Sequence, residues 1–191
     1  YLNLGKDETS GVDFAVQYAF SPARLGSFTA GVRGTYVEEM KTTLPPEFDF
    51  WEYNGENLVG TAEYWGSGQP EWRVVSSLDW RRRNTGASAV MTWFDSYQDY
   101  RNYPAENNRS QSDRKHTVDR WKSWDFQVSQ TFPALLDGRL SVGCVNCFDE
   151  EPPLYFGYNG GPNGVDHGLH DIRGRSWYAR WSQPFGGQRR D

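Results

Sequence analysis

The stretch Gly174-Arg-Ser-Trp-Tyr-Ala-Arg-Trp-Ser-Gln-Pro-Phe185 decides the fold, because its large apolar residues recur at every second position. Successive side chains of a β-strand point to opposite faces, so this period of two predicts one largely apolar and one polar face. Aromatic residues at the ends of an apolar face suit a bilayer, where Trp favours the head-group layers. The stretch is therefore predicted to be the closing strand of an outer-membrane β-barrel. The apolar face carries Trp177, Ala179, Trp181, Gln183 and Phe185, and the polar face carries Ser176, Tyr178, Arg180 and Ser182.

The composition of the 191 residues is consistent with this prediction and excludes other classes. Aromatic residues make up 16% of the chain, although only 37% is apolar in total. This combination suits a barrel, whose lumen face stays polar. The net charge of −5 gives no reason to expect a nucleic-acid partner. No window approaches the roughly 18 consecutive apolar residues of a transmembrane helix, and no signal peptide is expected in these residues.

Six further stretches alternate in the same way and are joined by connections that are alternately short and long. Bacterial outer-membrane barrels have short periplasmic turns and longer extracellular loops, with strands of about ten residues. The pattern therefore predicts an antiparallel sheet of seven transmembrane strands with a periplasmic C-terminus. The predicted strands are 14–20, 28–36, 72–80, 87–97, 124–132, 139–148 and 174–185, and the long loops are 41–70, 98–121 and 149–173.

The odd number of strands indicates part of a larger barrel. Seven strands place residue 1 on the extracellular side, whereas single-chain bacterial barrels have an even number of strands and at least eight. Residues 1–8 are too polar to supply an eighth strand. We therefore expect residues 1–185 to be the C-terminal part of a barrel and residues 186–191 to be a polar tail. Alone, these strands are expected to form an open curved sheet with unpaired edges.

Four motifs along the chain resemble those of the TonB-dependent outer-membrane receptors and follow each other in the same order. The resemblance covers essentially the whole chain and has three departures. Cys147 stands where the family has Leu, Pro184 removes a ladder donor beside the terminal aromatic residue, and the tail extends past that residue. The motifs are the strand opening 9–14, the Asn-Leu-Phe-Asp-like run 145–153, the Asp-Pro-Arg-Gly-Arg-like run 171–175 and the terminal aromatic residue Phe185.

This resemblance implies a 22-stranded barrel with an N-terminal plug and energised uptake of a scarce ligand. The ligand would be a siderophore, cobalamin or an oligosaccharide. The implied partners are outer-membrane lipid, the plug and the remaining strands, the TonB complex acting through the missing N-terminal part, and the barrel-assembly machinery. That machinery would read an assembly signal formed by Trp177, Trp181 and Phe185.

Aromatic residues in the long loops are the candidate ligand contacts. Loops on a rigid scaffold commonly carry binding, and aromatic rings can stack on a sugar or grip an aromatic chelator. The alternative is that these rings form the upper aromatic girdle or pack the loops against each other. The candidates are Phe50, Trp51, Tyr53, Trp65, Tyr100, Tyr103, Tyr155 and Tyr158.

Three other groups of residues favour a structural explanation. Cys144 and Cys147 would point to opposite faces of one strand, so no bridge is expected unless the backbone bulges. The spacing of acidic and histidine residues in the third loop matches no known structural-zinc pattern, so neither a metal nor a cofactor is expected. The loop residues concerned are Asp166, His167, His170 and Asp171, and the polar residues predicted to face the lumen are Arg33, Arg73, Asp79, Asp125 and Gln127.

Catalysis is not expected, because the chain has no Gly-x-Ser-x-Gly, His-Glu-x-x-His or phosphate-binding Gly loop. The main alternative to a receptor fragment is a soluble, secreted β-sandwich that binds carbohydrate. A sandwich would favour Val, Ile and Leu on its packed faces, whereas Ile172 is the only Ile here. A small complete porin or adhesin-type barrel is a third possibility, and it requires an eighth strand.

Overall fold

A computed structural model describes residues 5–45, 54–62, 68–99, 116–155 and 164–185 of the chain. These ranges contain β-strands and a single 3-10 turn at Pro133–Leu135. No helix in the described ranges is long and apolar enough to cross a membrane. The strands are β1 Lys6–Phe20, β2 Ser27–Thr43, β3 Thr61–Ala62, β4 Trp72–Arg82, β5 Thr85–Phe94, β6 Tyr97–Asp99, β7 His116–Val118, β8 Trp121–Phe132, β9 Gly138–Val145 and β10 Ser176–Ser182.

Seven of these strands form one antiparallel sheet in the order β1-β2-β4-β5-β8-β9-β10. Three of the neighbouring pairs are joined by a short turn, which lets the chain return beside the strand it has just left, and the other three are joined by a long loop. Within the described ranges β1 and β10 do not pair with each other, so the sheet is open and has two free edges. The predicted all-β fold with an open antiparallel sheet is therefore confirmed.

The pairing register collects apolar side chains on one face of the sheet and polar side chains on the other. This apolar face is exposed, with Tyr18 at 67% and Trp177 at 72% of their full accessible surface. The five polar residues predicted to face the lumen all lie on the polar face. One apolar row reads Tyr18, Ala30, Leu78, Ala89, Phe126, Cys144 and Trp177, and the adjacent polar row reads Ala19, Thr29, Asp79, Ser88, Gln127, Gly143 and Tyr178.

The β1–β2 hairpin extends well beyond its predicted ends. Where the apolar alternation stops, the two strands stay paired, and polar side chains that lie opposite each other on β1 and β2 form hydrogen bonds. Thr35 donates a hydrogen bond to Asp13 at 2.6 Å, and Thr42 donates one to Asp7 at 2.8 Å. At the other edge, β10 ends at Ser182 rather than at residue 185, in keeping with Pro184, which has no N–H for the ladder.

Cys144 and Cys147 form a disulfide with their Cα atoms 5.5 Å apart, so the expectation of no bridge is wrong. That expectation placed both cysteines in one strand, whereas β9 ends at Val145. Asn146 then adopts a left-handed conformation with φ 48°, and the chain turns back. The amide of Cys147 donates to the carbonyl of Trp124 at 2.7 Å, which holds the turn against β8.

The two ends of the sheet differ in structure. The short connections 21–26, 83–84 and 133–137 define the turn end, and the three long connections define the loop end. Contrary to the sequence prediction, the long loops contain strands: β3 pairs in parallel with β6, and β6 pairs antiparallel with β7. We call β3, β6, β7, residues 68–70, Tyr155 and residues 164–170 the loop layer. Its core contains Ala62, Tyr97, Val118 and Tyr155, with Leu169 packed against it.

Candidate functional site

Asp166 joins the three long loops within the loop layer. Its side chain is fully buried. One carboxylate oxygen accepts hydrogen bonds from the Gly68 amide at 2.6 Å and from the Tyr97 hydroxyl at 3.0 Å. The other accepts from the Gly168 amide at 3.0 Å. Because Gly68, Tyr97 and Asp166 come from different loops, this one carboxylate fixes the three loops relative to each other.

Tyr97, which donates a hydrogen bond to Asp166, stays protonated and neutral. Burial and the adjacent Asp166 charge raise the pKa of Tyr97 far above its ordinary value. The Tyr97 ring lies edge to face with Tyr155, with centroids 6.2 Å apart. It also lies so close to Gly68 that a Cβ at that position would clash with the ring. The hydroxyl therefore acts as a permanent donor to Asp166 and the ring as a permanent part of the core.

His170 lies where the loop layer meets the seven-stranded sheet. Its ring stands edge-on to Trp121 at 5.2 Å and to Phe94 at 5.8 Å, measured between centroids. Burial lowers the pKa of His170, and the nearby Asp166 charge opposes this shift in part. In the described part of the chain, both His170 ring nitrogens and Trp121 Nε1 lack a hydrogen-bond partner. Polar donors and acceptors are thus available at this junction.

Two of the four third-loop residues considered as metal ligands, both of them carboxylates, already have other partners. Asp166 uses both oxygens within the loop layer, and Asp171 forms a bidentate pair with Arg173. Hydrogen bonds from Arg173 lower the pKa of Asp171 to about 2. The described residues contain no group of three or more His, Cys, Asp or Glu side chains able to hold a metal.

Among the candidate ligand contacts, the structure describes only Tyr155. Tyr155 is 1% exposed, so in this conformation its ring packs the loops together. Contact between the loop aromatics and a ligand stays a prediction. The other seven lie outside the described residues, namely Phe50, Trp51, Tyr53, Trp65, Tyr100, Tyr103 and Tyr158.

The aromatic residues predicted to form an assembly signal lie along the free edge of the sheet. Trp177 is 72%, Trp181 47% and Phe185 92% exposed. The first two belong to β10 and project from the apolar face, whereas Phe185 follows the end of the strand. All three are therefore accessible for contact with lipid or protein, and their role in assembly stays a prediction.

The polar face forms a cavity of about 260 Å³ near the turn end. Side chains bridge neighbouring strands across this face. The Tyr178 hydroxyl donates a hydrogen bond to Gln127 at 2.9 Å. It passes directly over Gly143, where a Cβ would clash with it. The Arg139 guanidinium donates to the Ser129 hydroxyl at 2.7 Å. The bridges leave a concave, hydroxyl-rich wall suited to water or to a polar protein surface.

Comparisons with protein-family models, curated proteins and solved structures find no match for this chain. The fold defines its class: an all-β chain whose open antiparallel sheet has one apolar and one polar face. Any narrower assignment depends on the geometry of these faces and of the loop layer.

Proposed function

We propose that this chain forms seven strands of a larger outer-membrane β-barrel, with its apolar face against lipid hydrocarbon and its polar face toward the lumen. The observation that carries the proposal is the continuous apolar face, which is exposed although the opposite face is polar. A soluble sheet buries its apolar face, because apolar surface in water costs about 25 cal/mol per Å². A transmembrane barrel has the reverse arrangement.

The free edges of β1 and β10 also support a larger barrel. In hydrocarbon every backbone N–H and C=O needs a protein partner, so spanning sheets must close. Further strands of the larger barrel would pair with both edges. The β-sandwich alternative needs a second sheet over the apolar face. In the described ranges, the only other sheet is made of loop segments at one end.

Within this class, we propose a TonB-dependent receptor that takes up a siderophore, cobalamin or an oligosaccharide. Two of the motifs that resemble this family meet in space. Asp149 accepts a hydrogen bond from the Arg175 amide at 2.8 Å and lies 3.8 Å from its guanidinium. The pair joins the run after β9 to the entry of β10. The loop layer would lie over the extracellular mouth, and the polar face would meet the plug.

The proposal is tested by the intact mass of the native product that carries this sequence, taken from detergent-extracted outer membranes. A mass several times the 22.0 kDa of this chain is expected, since the plug and the remaining strands must be present. Recovery of the product from the soluble fraction at about that mass would contradict both the location and the larger barrel.

A further inference from the structure

The turn end carries a cluster of cationic side chains without acidic partners. Arg24 lies in the first short turn, Arg82 ends β4, and Arg83 lies in the second short turn. All three are exposed, and none forms an ion pair with a described residue. Unpaired arginine heads at one end of a sheet leave guanidinium donors available for an external anion.

The first turn is held against the end of β4, so these arginines share one surface. Trp80 Nε1 donates to the Leu25 carbonyl at 2.7 Å. Gly26, at φ 97°, has no room for a Cβ because the Arg81 carbonyl and the Arg82 Cβ lie against it. We call Arg24, Arg82 and Arg83 the turn-end arginines.

The turn-end arginines lie immediately beyond a band of aromatic and aliphatic side chains. Phe20, Phe28 and Trp80 form one row of the apolar face, with Phe20 and Phe28 stacked at 5.1 Å between centroids. Arg82 projects from this same face one row further toward the turn. Leu25 beside it is 57% exposed. An aromatic row followed by cations is the arrangement expected at the boundary between hydrocarbon and head groups.

We propose that the turn-end arginines bind the phosphate groups of anionic phospholipids in the adjacent leaflet. This inference rests on the proposed function, because the apolar face must enter hydrocarbon for Arg82 to reach the head groups. Arg81, the neighbour of Arg82, projects from the polar face beside Asp79 and lines the cavity there. It carries the same charge at the same end of the sheet but faces away from lipid.

The test refolds the native product that carries this sequence, with the strands that close the barrel, in the presence of vesicles and measures partitioning by flotation. One set of vesicles is phosphatidylcholine alone, and the other contains about one-third phosphatidylglycerol, whose negative surface potential attracts arginine. Partitioning of the wild-type chain is expected to be stronger with phosphatidylglycerol. The preference should shrink in about 1 M salt, where the Debye length falls to roughly 3 Å.

The matched variants are Arg82→Gln and Arg81→Gln. Each cation near an anionic surface contributes about a fivefold preference, so Arg82→Gln is expected to lower the phosphatidylglycerol preference about fivefold. The triple variant of all turn-end arginines should lower it roughly a hundredfold. Arg81→Gln should leave it unchanged. Both side chains are exposed, so far-UV circular dichroism should show the same sheet in every variant.

Two results would overturn the inference. One is equal partitioning of the wild-type chain into both kinds of vesicle. The other is an equal loss in Arg81→Gln and Arg82→Gln, which would mean that only net charge matters. Failure of the proposed function looks different, because the native product would then not enter phosphatidylcholine vesicles at all.

Discussion

Ala89→Arg is expected to weaken entry of the native product into a bilayer sharply, whereas Ser88→Arg beside it should be tolerated. Ala89 lies between Leu78 and Phe126 in the middle of the apolar face. An arginine on the lipid face near the bilayer midplane costs about 2–4 kcal/mol. Partitioning into phosphatidylcholine vesicles, measured by flotation, should therefore fall about 30- to 700-fold.

Ser88→Arg is the matched control for this prediction. Ser88 lies between Asp79 and Gln127 on the polar face, where the cavity can hold a charged side chain in water. Its partitioning should stay close to that of the wild-type chain. If both variants partition equally, or if Ser88→Arg is the more harmful, the assignment of the two faces is wrong.

Asp166→Ala is expected to open the loop layer while the seven-stranded sheet stays folded. The change leaves two buried donors, the Tyr97 hydroxyl and the Gly68 amide, without their acceptor. Each unsatisfied buried donor costs about 1–3 kcal/mol, so the loop layer should lose roughly 2–6 kcal/mol of local stability. Native-state hydrogen exchange should quicken at the amides of Gln98 and Leu169 and stay unchanged in β4 and β5.

Asp171→Ala provides the control for the loop layer. Asp171 is a carboxylate of the same loop, but it is exposed and binds Arg173, two residues away. Its removal should leave exchange in the loop layer unchanged. Asp166 does not hold the loop layer together if both variants speed exchange equally, or if neither does.

Buried histidine should also make the loop layer sensitive to acid. The pKa of His170 is lowered in the folded chain, so the unfolded chain binds more protons below its ordinary value of about 6.5. The stability that depends on neutral His170 is therefore complete above that pH and is lost as the pH falls toward the lowered pKa. The protection factor of the Leu169 amide, which corrects for the slower intrinsic exchange at low pH, should fall on mild acidification, and His170→Phe should remove that response. An unchanged response in His170→Phe would assign it to another group.

The strands of the large sheet could be predicted from sequence because their signal is local. In β4, for example, Trp72, Leu78 and Trp80 alternate with Arg73 and Asp79, and this pattern alone identifies the two faces. The short turns then leave only one simple order of strands. The polar extension of β1 was missed, because its ladder depends on residues of β2 far along the chain.

The loop layer could not be predicted, because its strands are too short to show a period. β3 has two residues, and β6 and β7 have three each. Their stability comes from partners distant in sequence, with Asp166 lying 98 residues from Gly68 and 69 from Tyr97. The Cys144–Cys147 bridge was missed for a related reason. The left-handed turn at Asn146 moves Cys147 out of the strand, and the alternation of apolar and polar residues in the sequence does not reveal it.

The most direct test of the central claim is the quenching of tryptophan fluorescence by lipids with brominated acyl chains. Among the described residues, six tryptophans lie on the apolar face, namely Trp72, Trp80, Trp93, Trp124, Trp177 and Trp181. Trp121 is instead 7% exposed beside His170. A variant in which every other tryptophan is replaced by Phe reports on Trp121 alone and serves as the reference. We predict that, in the native product inserted into vesicles, these six tryptophans are quenched strongly by brominated lipid and weakly by aqueous iodide. Strong quenching by iodide together with none by brominated lipid would show that the apolar face does not contact hydrocarbon, and would contradict the account.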